Sequence, residues 1–216
     1  MLLTFDTASP QVTVALLDAA AEATRVLAEA TSEQTMRHGE QLAPLIERVL
    51  DDARADRHEI TAVGVGVGPG PYTGLRVGLV TARTLGLVLD VPVYGVCSLD
   101  ALAVEAVDTG AVAEPFLVAT DARRKEVFLA SYDTDGTRVS GPVVDKPAAV
   151  ATDLPVVGEG ATLYPESFPR PVGPQRPAAA WLGVALMEER VELFDPDPLY
   201  LRRPDAEEPK APKPVS

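Results

Sequence analysis

Val63-Gly64-Val65-Gly66-Val67-Gly68-Pro69-Gly70-Pro71-Tyr72-Thr73-Gly74-Leu75-Arg76 is the stretch on which the reading of this chain turns. Ile60 to Val67 alternates valine with glycine. The β-branched valines suit a pleated surface, and the glycines leave one side nearly bare, as a strand does where a backbone or ligand lies close. Gly68-Pro69-Gly70-Pro71 can neither extend the strand nor sit inside a helix, so the chain turns there. Thr73 is the expected N-cap, and Thr73–Leu89, free of proline, the expected helix. A glycine-rich turn feeding a helix N-terminus offers N–H groups to an anion. Neither phosphate fingerprint is complete, however. Gly74-Leu75-Arg76 stands where a P-loop needs Lys then Ser or Thr, and Pro71, Tyr72 and Thr73 follow Gly68-Pro69-Gly70 where a dinucleotide motif needs its third glycine. Architecture or a partner is the favoured use of the turn over phosphate.

Outward from this stretch the elements alternate. Leu2–Phe5, Val12–Leu17 and Arg25–Ala30 read as strands. Leu42, Leu45, Ile46, Val49, Leu50 and Ala53 fall on one stripe of a helix, with Pro44 near its start. Val91–Val96 is a further strand. The design then starts again at Phe116–Asp121: Asp6–Asp18 can be laid without a gap on Asp121–Asp133, pairing Asp6 with Asp121, Val12 with Val127, Ala15 with Ala130 and Asp18 with Asp133. Val156-Val157-Gly158-Glu159-Gly160 echoes the strand and turn at Val63–Gly68, with less chain between. The expectation is an α/β chain of two related β-β-β-α-β-α halves. Residues 1–103 form the first, and 104–195 a smaller second whose last helix (178–194) packs back on the first. A proline-rich mobile tail (196–216) follows.

A chain of 216 residues with 46% hydrophobic and 24% charged content buries a proper core. The net charge of −13 opposes a broad basic face for bare nucleic acid. One cysteine, Cys97, excludes an internal disulfide and fits a reducing compartment. The N-terminus lacks a signal-peptide pattern and no apolar run is long enough to span a membrane, so a cytoplasmic location is expected.

No catalytic constellation is legible. His38 and His58 are not at i, i+4 spacing and stand outside any motif, so both are read as solvated surface and no metal site is assigned. Asp6 and Asp121 each head a hairpin turn after an apolar strand, where carboxylates of nucleotide-handling folds hold a metal–phosphate complex. The competing use, slightly ahead, is capping of their own turns. Asp6, Thr7, Ser9, Gly68, Gly70 and Asp121 are the candidate nucleotide or anion contacts. Arg123-Arg124-Lys125 is read as a solvated turn tip rather than an anion contact. On the second helix Gly74, Gly78, Ala82 and Gly86 recur every four residues, a costly choice that implies close approach. That face is read equally as packing on the Leu42 helix and as a surface for another protein.

Phe5-Asp6-Thr7-Ala8, Gly66–Gly78 and Val96-Cys97-Ser98-Leu99-Asp100-Ala101-Leu102 resemble the TsaB (YeaZ) family of the tRNA threonylcarbamoyladenosine system, strongly in the first half and loosely beyond. The resemblance implies an actin-like (ASKHA, ribonuclease H-like) fold of two related domains. The catalytic relative TsaD carries two metal-binding histidines at i, i+4 after the next strand. Those positions fall here on Ser98 and Leu102, so the resemblance implies a pseudo-enzyme. It further implies a non-catalytic scaffold subunit that forms a heterodimer with TsaD and, with the ATPase TsaE, supports threonylcarbamoyl transfer to the adenosine beside the tRNA anticodon. tRNA would be met through the complex, ATP and a metal ion would reside on the partner subunits, and whether the isolated chain forms a homodimer is left open. The partner face of the family maps onto Leu42–Ala53 and Thr73–Leu89, here Leu42, Leu45, Val49, Leu75, Arg76, Gly78, Leu79, Ala82, Arg83 and Gly86. The alternative is a stand-alone ASKHA-type ATPase or small-molecule phosphotransferase using Asp6 and Asp121.

Overall fold

The computed structural model describes residues 1–20 and 23–202. Strands β1 (Leu2–Asp6), β2 (Thr13–Ala20) and β3 (Ala23–Thr31) form an antiparallel meander, followed by α1 (His38–Ala53), β4 (Ala62–Gly68), α2 (Tyr72–Leu89), β5 (Val93–Cys97) and α3 (Ser98–Asp108). The second half runs β6 (Phe116–Asp121), β7 (Val127–Tyr132), β8 (Arg138–Asp145), β9 (Val156–Val157), the short helix α4 (Glu159–Leu163) and β10 (Pro171–Val172). The chain then returns with α5 (Ala179–Met187) and β11 (Leu193–Phe194).

Two sheets result, in the orders β11-β5-β4-β1-β2-β3 and β10-β9-β6-β7-β8. In each, the first strand pairs antiparallel with the second and parallel with the fourth. The repeated order, antiparallel meander on one side and parallel strands on the other, is the actin-like arrangement. It establishes the duplication, but not by the gapless alignment. Asp6 pairs with Thr13, whereas Asp121 pairs with Val127. Thr13, not Val12, is therefore the counterpart of Val127, and of the four matched pairs only Asp6 with Asp121 is equivalent. A one-residue difference in turn length shifts every later position, because side-chain direction repeats every two residues. The second half has no counterpart of α1, only a single turn at Pro147–Ala149.

The 103/104 boundary falls inside α3, which joins the halves. The last helix is shorter than 178–194 and does lie on the first sheet: Leu2, Ala15 and Leu17 form one cluster with Ala179 and Ala180. It also fills the bare side of β4, for a Cβ on Gly64 would lie 3.3 Å from both Leu182 and Leu186. Residues 196–202, expected in the mobile tail, pack on the body instead. The Leu199 amide donates to the Val67 carbonyl at 2.9 Å, and Leu199 touches the buried clusters of both halves. The rest of the expected tail, 203–216, lies outside the described residues. Among the described residues no helix is long and apolar enough to cross a membrane.

Candidate functional site

The two hairpin turns and the glycine-rich turn meet at one cleft. Ser9, Pro69, Ser98, Asp121, Arg123 and Arg176 are among its walls, and its free volume is ≈ 20 Å³. That is room for about one water. Of the candidate contacts, Ser9 and Asp121 line the cleft; Asp6 is bonded to its wall residue Ser98, Thr7 precedes Ala8 of the same wall, and Gly68 and Gly70 flank Pro69.

Each of these polar groups is engaged by the chain itself. Asp6, 1% exposed, accepts from the Ala8 amide at 2.7 Å and from Ser98 Oγ at 2.5 Å, one bond to each oxygen. Burial pushes its carboxyl above the usual range, against the lowering effect of those bonds and of His38. A Cβ on Gly66 would overlap Asp6 Oδ2, so this glycine makes room for the carboxylate. Thr7 Oγ1 donates to the Gly74 carbonyl at 2.8 Å, and Ser9 Oγ to the Gln11 carbonyl at 2.9 Å. Asp121 accepts from the Arg123 amide at 2.8 Å and pairs with the Arg123 guanidinium at 3.0 Å. Both aspartates cap their own turns at the same i to i+2 spacing. The turn glycines serve packing: Gly68 has φ +103°, open to few side chains, and a Cβ on Gly70 would overlap the Ala8 backbone.

The halves are bridged across the cleft by Arg176, which contacts Glu159 Oε2 at 2.9 Å and Gln11 Oε1 at 2.8 Å. Arg123, Arg124 and Lys125 are exposed and all left-handed, with φ 61°, 56° and 60°. His58 is exposed as expected, but His38 is not. It is 6% exposed with Nε2 2.8 Å from the Ser9 carbonyl. At the start of α1 it packs under the β1–β2 turn, a long-range contact that leaves no local signature.

The positions matched to metal-binding histidines are filled. Ser98 starts α3 hydrogen-bonded to Asp6, and Leu102, one turn on, is wholly buried. Among the described residues no group of three His, Cys, Asp or Glu is placed to hold a metal ion.

Most of the residues expected at the partner face are buried within the chain. Leu42, Leu45, Val49, Leu75, Leu79 and Ala82 belong to one buried cluster of the first half, and Gly78 and Gly86 are buried beside it. The small-residue face of α2 does not pack chiefly on α1. A Cβ on Gly74 or Gly78 would run into Thr7, and one on Gly86 into Val93. It is glycine because the helix lies on its own sheet and hairpin turn. Only Arg76 and Arg83 of the expected set face outward. They lie on the stripe the sequence reading missed: Tyr72, Arg76, Val80, Arg83 and Leu87, with Val80 61% and Leu87 84% exposed. The helix begins at Tyr72 behind Pro71, with no side-chain cap, so Thr73 is not the N-cap.

The family model described as TsaD: tRNA N6-adenosine threonylcarbamoyltransferase matches residues 25–182. YeaZ from Pseudomonas aeruginosa superposes with TM-score 0.75 at 28% identity, covering 93% of this chain and 99% of that one. The chain belongs to the TsaB (YeaZ) family. A Mycobacterium tuberculosis relative, an uncharacterized protein, is 41% identical over 209 residues, 95% of this chain and 93% of its own. The Bacillus subtilis tRNA threonylcarbamoyladenosine biosynthesis protein TsaB is 28% identical over 158 residues, 73% of this chain and 66% of its own length.

Proposed function

We propose that this chain is a non-catalytic subunit of tRNA threonylcarbamoyladenosine biosynthesis that docks on TsaD and, with TsaE, supports threonylcarbamoyl transfer to the adenosine beside the anticodon. The observation that carries this reading is the Ser98–Asp6 hydrogen bond above a buried Leu102. The positions that would hold a metal in TsaD are built into the core, and neither side chain is an imidazole. ATP and the metal then belong to the partner subunits. The docking surface is the outward stripe of α2. Val80, Leu87 and the neighbouring Val88, 72% exposed, are apolar side chains facing solvent on a helix whose other side is fully packed. With a net charge of −13, the subunit leaves the main tRNA contact to its partners.

The phosphotransferase alternative needs Asp6 and Asp121 open to a metal–phosphate complex. Both oxygens of Asp6 are engaged, Asp121 holds its own turn, and the cleft admits about one water. The scaffold reading is therefore preferred.

Size-exclusion chromatography with light scattering, on the chain alone and with TsaD, tests it together with an ATPase assay on the chain alone. The expected result is a complex with TsaD, weakened by Leu87→Glu, and no hydrolysis without partners. Mg-dependent hydrolysis lost in Asp6→Asn, with no complex, would overturn the reading.

A further inference from the structure

Residues 195–202 lie across the N-terminal part of the α2 stripe. Tyr200 stacks on Tyr72 with ring centroids 5.0 Å apart and planes 21° from parallel. Arg76 sits 4.0 Å from the Tyr72 ring centroid and donates from Nε to the Tyr200 hydroxyl at 3.3 Å. Asp197 pairs with Arg83, one turn beyond Val80. Leu199 anchors the middle of the segment on Val67, and Arg202 ties its end to the second half through the Ala122 carbonyl at 2.9 Å and an ion pair with Glu126. Tyr72, Arg76 and Arg83 thus have an occupant in the free chain, while Val80 and Leu87 on the same line of the helix do not.

A helix packing on α2 along that line approaches to an interaxial distance of about 8–10 Å. This leaves no space for a second layer of chain over Tyr72 and Arg83. We propose that residues 195–202 are an autoinhibitory strap, which the docking partner displaces from α2 by offering its own carboxylate to Arg83 and its own flat side chain to Tyr72. The inference rests on the reading that α2 is the docking face. The strap's contacts with α2 are suited to exchange. The Arg83–Asp197 pair is exposed on both sides, at 49% and 72%, and such pairs contribute little. Tyr72 and Tyr200, which form the stack, are each 40% exposed.

Hydrogen–deuterium exchange on the full wild-type chain, alone and with TsaD, gives opposite signs for the two segments. Exchange over residues 72–88 is expected to slow in the complex, and exchange over 195–202, the Leu199 amide included, to speed up. Slowed α2 with an unchanged or slowed strap overturns the strap while leaving the docking face intact. No change in either segment overturns the docking reading and the strap with it. In the full chain, Asp197→Asn with Tyr200→Ser is expected to bind TsaD about three- to ten-fold more tightly, because less of the chain holds the closed state. Unchanged or weaker binding by the folded double variant overturns the proposal.

Discussion

Ser98 Oγ donates to Asp6 Oδ2 at 2.5 Å, joining the start of α3 to the head of the first hairpin turn at the floor of the cleft. Both residues are buried, at 1% exposure each, so the bond has no solvent to fall back on. Ser98→Ala leaves one carboxylate oxygen without its partner and is expected to lower stability by about 1–3 kcal/mol. Urea unfolding of the variant measures this. Asp6→Asn is expected to cost less, since burial already favours the uncharged carboxyl and an amide retains an oxygen for the Ala8 amide. A larger loss for Asp6→Asn than for Ser98→Ala would contradict this account.

Gly78→Leu is expected to damage the fold rather than the docking surface, because a Cβ there runs into Thr7 Oγ1, itself bonded to the Gly74 carbonyl. Overpacking of this kind costs about 1–3 kcal/mol or more. Leu87→Glu, at 84% exposure, is expected to change stability by less than about 0.5 kcal/mol. Thermal melts of the two variants side by side separate the inward face of α2 from the outward one.

Arg138 ties the second sheet to α3. Its Nε lies 3.1 Å from Asp100 Oδ1 and its Nη2 2.8 Å from Glu192, while the Tyr132 hydroxyl donates to Asp100 at 2.7 Å. Asp100 is buried, and burial raises its pKa despite the bonds from Tyr132 and Arg138. Arg138→Ala is expected to destabilise by about 3–5 kcal/mol, since it strands a buried carboxylate. Asp100→Asn in the same chain is expected to restore part of the loss. A denaturant-based double-mutant cycle reads the coupling.

Glu105 on α3 is half-buried, and burial, with a smaller contribution from Glu29 on β3, raises its pKa from 4.5 to about 7. The unfolded chain releases this proton at lower pH than the folded one. Its contribution is therefore fully present below pH 4.5 and is lost as pH rises through about 7. Glu105→Gln is expected to gain stability relative to wild type at pH 8, with the advantage shrinking toward pH 4.5. Chemical denaturation across that range checks the sign, and a gain largest at the acid end would refute it.

Much of this was legible before the fold. The strand, glycine-proline turn and helix at 63–89 are local events, set by backbone restrictions that act over a few residues, and the repeated strand–acid–turn pattern exposed the duplication. The two-residue strands Pro171–Val172 and Leu193–Phe194 were missed because so short a strand has no period and exists only through its neighbours. The outward stripe of α2 was missed for a related reason. Both its small-residue side and its valine-leucine side read as faces needing a neighbour, and nothing along the helix says which side the sheet occupies.

By itself, then, the sequence determined the order of elements in the first half, the existence of a related second half and the absence of histidine at positions 98 and 102, because these depend on residue identity and spacing alone. Tertiary structure decided which way each side chain faces. It buried His38 under a turn, closed Asp6 against Ser98 and turned Gly78 inward. It also laid residues 195–202 over Tyr72 and Arg83. These are contacts between residues far apart in the chain, fixed by how the sheets and helices pack rather than by any neighbour in sequence.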